Sequence, residues 1–166
     1  MTRTIRPKAT FCDVCLTPDG HFVFVYVGQD GATHCEVDGK ERWKCATPKP
    51  LIWIRIAASP TEVCVVGAAA DDKVHVILNG TYRKTRGPSF GQNPVAVRWS
   101  AEKKFELSMV VDKTRYAVGP LDGPFRTFTQ ALSSQGIRDW HPERGILLAN
   151  ENANFSEWWI AQRHGA

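Results

Sequence analysis

The sequence has no apolar run long enough to span a bilayer. Its longest, Phe22–Val27, covers six residues, whereas a membrane helix needs about 20. The N-terminal MTRTIRPK lacks the apolar core of a signal peptide. No block of like charges stands out: the net charge of +4 is spread along the chain, so a nucleic-acid-binding tail is not indicated. A phosphate-cradling loop is missing too, because GPSFGQNP has no Lys followed by Ser or Thr. The five cysteines, Cys12, Cys15, Cys35, Cys45 and Cys64, are odd in number and confined to the first half of the chain, which is a poor disulfide framework. These absences predict a cytoplasmic chain in a reducing compartment, with its cysteines acting mainly as small buried hydrophobes.

What is present is ordinary globular composition, 43% hydrophobic and 23% charged over 166 residues, which suits one domain with a sizeable core. It also contains a repeat. The turn segments TPDG (Pro18), SPTE (Pro60), SAEK (Ala101) and HPER (Pro142) fall at spacings of 42, 41 and 41. Asp38-Gly39, Asn79-Gly80 and Asp122-Gly123 recur at 41 and 43, and His164-Gly165 follows 42 later. Such pairs are strong signals for two-residue hairpin turns. Between the turns lie short runs rich in β-branched and aromatic residues: FCDVCL, HFVFVYV, ATHCEV and ERWKCA in the first unit, with comparable runs in the next three.

Four short strands per unit at this period are the signature of propeller blades. The expected fold is all-β: a four-bladed β-propeller forming a single domain over residues 1–166, with blades at about 11–47, 52–86, 94–130 and 135–166. The fourth unit runs out after its third strand. Pro7-Lys8 and Pro48-Lys49 lie 41 apart, so residues 2–6 are expected to supply the missing strand and close the last blade, since an unpaired edge invites association. Two chains joining into an eight-bladed ring satisfy the same pattern.

LTPDGHFVFVYVGQDG, and more loosely RWSAEKKFELSMVVDK and DWHPERGILLANEN, resemble the blade motif of TolB-type and related WD-repeat-like propellers. The resemblance implies the fold across the chain, and a fold that hosts many unrelated functions.

Several residues are candidates for a site. Asp13, Arg55, Arg98, Arg138 and Asp139 lie on the first strand of each unit, the strand that lines the central channel of a propeller. There they would bind a ligand or pair with one another. Trp99 and Trp140 recur at a spacing of 41, and their rings would stack on a sugar or fill space between blades. Cys12, Cys15, Cys35 and Cys45 are the right residue types for zinc. Their spacing argues against it, since Cys12 and Cys15 point to opposite faces of one strand and Cys35 and Cys45 are split by a hairpin. No cofactor or metal is expected, and no local context marks a catalytic residue.

The functional expectation is a non-catalytic protein-interaction or assembly module, such as a structural component of a larger complex or a phage particle. A lectin-like glycan-binding propeller is the alternative, and a propeller-type hydrolase comes third. A protein partner and a homo-oligomer both fit, while membrane association does not.

Overall fold

The computed structural model describes residues 9–71, 73–84, 94–110, 115–129, 135–141, 145–150 and 158–161, with sheet 4 described by its backbone. Among the described residues, fifteen strands form four antiparallel sheets. Sheet 1 comprises β1 (Ala9–Leu16), β2 (Phe22–Gly28), β3 (Thr33–Val37) and β4 (Lys40–Cys45). Sheet 2 comprises β5 (Leu51–Ala58), β6 (Val63–Ala69), β7 (Val74–Leu78) and β8 (Thr81–Lys84). Sheet 3 comprises β9 (Pro94–Trp99), β10 (Phe105–Val110), β11 (Arg115–Pro120) and β12 (Arg126–Thr129). Sheet 4 comprises β13 (Gln135–His141), β14 (Gly145–Asn150) and β15 (Trp158–Ala161).

Each sheet is a meander, with every strand paired to its neighbour in sequence. Short turns fix this order. In the first two sheets a hydroxyl residue opens the turn between the first two strands. The Thr17 oxygen accepts the N–H of His21 at 2.8 Å, and the Ser59 oxygen accepts that of Glu62 at 2.8 Å. The last two strands are joined by Asp38-Gly39 and Asn79-Gly80, all four residues at positive φ, the conformation a two-residue hairpin requires.

Asp122-Gly123 departs from that expectation. Neither residue has a positive φ, and β11 and β12 are joined by the longer loop 121–125. A two-residue hairpin here would need the N–H of Pro124, which proline lacks.

The first strands of the sheets lie side by side in series, β1 against β5, β5 against β9, and β9 against β13. Two apolar layers hold sheets 1 to 3 together. Val23, Val25, Val27 and Cys35 of sheet 1 pack against Leu51, Ile54, Ile56, Val65 and Ile77 of sheet 2. The other face of sheet 2, with Ala57, Cys64, Val66 and Val76, packs against Val97, Phe105, Leu107 and Met109 of sheet 3. Each fully buried Val, Ile or Leu side chain contributes roughly 1.5–3 kcal/mol, so these layers set the order of the sheets.

Among the described residues, no contact between β13 and β1 matches those joining successive first strands. Residues 2–6, expected to complete the fourth unit, and His164-Gly165 lie outside the described residues.

Candidate functional site

The first strands carry the polar residues singled out in the sequence, and the structure gives several of them a structural task. Asp13 on β1 reaches sheet 2: one carboxylate oxygen accepts the N–H of Ile56 at 3.1 Å and the other that of Val14 at 2.9 Å. Arg55 lies over the ring of Trp53, 4.6 Å from its centroid, and donates to the carbonyl of Ile54 at 3.1 Å. Burial pushes the Cys15 thiol up to about 11, with Asp13 raising it further and Arg98 opposing. Asp13 and Arg98 therefore come within electrostatic reach of one thiol from sheets 1 and 3. Arg138, Asp139 and Trp140 are placed on β13, beside β9; their side chains lie outside the described residues.

Trp99 packs on Phe105, with ring centroids 4.8 Å apart, at the margin of the second apolar layer. A ring held edge-to-face in this way fills space between strands. Cys35 and Cys45 are buried in the first layer, Cys15 packs against it, and Cys12 is exposed. Among the described residues, no three His, Cys, Asp or Glu side chains are grouped to hold a metal ion. Burial also pushes Cys35 up to about 12 and raises Cys45 and Cys64. Thiols so raised are poor nucleophiles at neutral pH.

A pattern missed in the sequence is Asp-x3-His. Asp30/His34 and Asp71/His75 recur at a spacing of 41, each tying the turn after the second strand to the third strand. His75 is buried, with Nε2 2.9 Å from Asp71 and Nδ1 2.9 Å from the Tyr82 hydroxyl. A carboxylate only accepts, so Nε2–H donates to Asp71, and Nδ1 is free to accept from Tyr82. In sheet 1, His34 lies 3.3 Å from Asp30 and stacks on Tyr26 with centroids 4.9 Å apart, while Lys44 pairs with Asp30 at 2.7 Å. With both nitrogens of His75 engaged and the ring buried, the Asp71–His75–Tyr82 chain reads as a brace between strands.

A groove of about 470 Å³ lies between the turn ends of sheets 1 and 2. Its lining includes His21, Asp38, Arg42, Trp43, Thr61 and Glu62. Asp38 positions one wall: its carboxylate accepts the N–H of Phe22 at 2.9 Å and lies 2.7 Å from Nδ1 of His21. These two contacts hold the Asp38 carboxyl low, and the bond to Asp38 raises His21. Trp43 packs on the β7–β8 hairpin at Gly80, where a Cβ would lie 2.9 Å from the tryptophan side chain. Its indole N–H is buried without a hydrogen-bond partner. The groove thus combines an aromatic surface, charges of both signs and hydroxyls, all carried on turns fixed by the sheets.

No family model matches the chain, and no curated protein matches it in sequence. Solved structures do. A crystal structure of BBS1N in complex with ARL6DN, soaked with lead, superposes with a TM-score of 0.60 at 14% identity over 90% of this chain and 52% of that chain. The same complex soaked with mercury gives a TM-score of 0.56 at 13% identity over 89% of this chain and 49% of that one. The BBS1 N-terminal domain is a β-propeller. The chain shares that all-β architecture and spans about half the length of the structures it matches.

Proposed function

We propose that this chain is a protein-interaction module without catalysis of its own, built from consecutive propeller blades. The observation that carries the proposal is the groove between sheets 1 and 2. It is open, mixed in charge and aromatic, and it is mounted on rigid turns, which suits recognition of a protein surface. The likeness in fold to a propeller crystallised with a protein partner supports the reading. So do the raised Cys15, Cys35, Cys45 and Cys64 thiols and the doubly engaged His75, none of which is set up as a nucleophile or a base. The five free thiols fit a reducing compartment, and cytoplasmic placement is part of the proposal.

The test is affinity purification of the tagged chain from its own cell, beside an Arg42→Glu, Thr61→Arg variant. A protein recovered in constant ratio with the wild type and lost with the variant supports the proposal. Binding to a glycan array that disappears on Trp140→Ala, with no protein recovered, contradicts it and favours the lectin alternative.

A further inference from the structure

The face of sheet 1 directed away from sheet 2 is apolar across β1 and β2 and carries His34, Glu36, Glu41 and Lys44 on β3 and β4, and the internal repeat identifies what kind of surface its β1–β2 half is. In sheet 2 the cross-strand pairs Ala58–Val63, Ile56–Val65 and Ile54–Gly67 flank the β5–β6 turn. Their side chains form the surface buried against sheet 1, with Ile54, Ile56, Ala58, Val63 and Val65 all 7% exposed or less. The equivalent pairs in sheet 1 are Leu16–Phe22, Val14–Phe24 and Cys12–Tyr26. They are similarly apolar, yet Leu16 is 64%, Val14 51% and Phe22 44% exposed. Phe24 and Tyr26 stack on this face with centroids 5.3 Å apart. At Cys12, Val14, Leu16 and Phe22, around a Phe24 that is 7% exposed, sheet 1 therefore presents to solvent the surface by which sheet 2 docks on its predecessor. Contiguous exposed apolar surface of this sort marks an interaction site.

We infer that this face receives the last sheet of a second copy of the chain, so that two four-sheet arcs close into one ring. Two observations single out this occupant. The surface continues, by repeat, the sheet-to-sheet interface already formed twice within the chain. The chain's own fourth sheet packs beside β9 through β13 and, among the described residues, makes no comparable contact with β1. A two-fold arrangement buries the exposed face of both copies at once, and it ends growth because the assembly is closed. The inference goes beyond the interaction reading and does not depend on it.

The experiment is light scattering on the full chain over a range of concentrations, combined with the rate of maleimide labelling at Cys12, which lies exposed on this face. The wild type is expected at twice the 18.5 kDa chain mass, with Cys12 labelled more than tenfold more slowly than in Leu16→Arg. That variant is expected at the single-chain mass with an unchanged circular dichroism spectrum. Arg126→Glu, at an exposed position on sheet 3, should keep the doubled mass. A wild type that stays monomeric at every concentration overturns the inference. Protected Cys12 in such a monomer would show that the chain's own segments cover the face. A mass that rises without limit, or a dimer unaffected by Leu16→Arg, overturns it equally. Loss of the dimer with partner capture intact would leave the proposed function standing.

Discussion

Replacing His75 by Phe keeps the ring volume while removing both hydrogen bonds of the Asp71–His75–Tyr82 chain. His75 is 3% exposed, so the loss is felt in a buried setting. A hydrogen bond to a charged group is worth about 1.5–3 kcal/mol and a neutral one about 1 kcal/mol. The Asp71 side chain is 18% exposed and recovers some hydration, which brings the expected loss to about 2 kcal/mol. At ~2–4 °C per kcal/mol for a domain of this size, Tm should fall by roughly 4–8 °C. Urea unfolding at neutral pH measures the loss directly. The pH dependence has a defined sign. The bond from His75 holds the Asp71 carboxyl below the ordinary carboxylate range, so its stabilisation is complete above the unfolded value and lost as pH falls through the folded one. The wild type's advantage over His75→Phe should therefore shrink on acidification below about pH 4, and Asp71→Asn should lack that acid-side decline. A loss under about 0.5 kcal/mol, or a gap unchanged between neutral and acid pH, would refute the brace.

Further outcomes can be checked with the same material. Asp13→Leu should cost about 1–3 kcal/mol in urea unfolding, because it leaves the Ile56 N–H without its acceptor, and Asp13→Asn should recover part of that through its amide oxygen. Gly67→Ala should destabilise by about 1–3 kcal/mol, since a Cβ there would lie 2.6 Å from the Trp53 carbonyl oxygen; a neutral result would mean that β5 and β6 pack less closely than described. In Leu16→Arg, maleimide should modify Cys12 well before Cys35 or Cys64, and equal rates measured by mass spectrometry would contradict the burial of the latter two.

The strands were legible because short runs rich in β-branched and aromatic residues, such as Phe22–Val27 on β2, are punctuated by turn residues at a fixed period. The grouping into four sheets followed from the same period. Asp122-Gly123 misled because the hairpin signal ignores the missing N–H of Pro124, two residues beyond Asp122. The role of Asp13 was open in the sequence, since a carboxylate on a first strand is equally suited to a ligand and to the backbone N–H of a neighbouring sheet; only the approach of Ile56 distinguishes them. Asp-x3-His was readable at its spacing of 41, but the pair by itself marks neither a turn nor a strand. Whether the sheets close into a ring was not legible, because the angle between sheets depends on how side chains such as Phe24, Ile56 and Phe105 fill the space between them.

The central claim is that the groove between sheets 1 and 2 recognises a protein. Site-specific photo-crosslinking in the native cell tests it most directly, with the probe at Arg42 on the groove wall and a control probe at Arg126 on sheet 3. The account predicts one dominant protein adduct from position 42 that is absent from position 126. Equal adducts from both positions, or none from position 42, would contradict it.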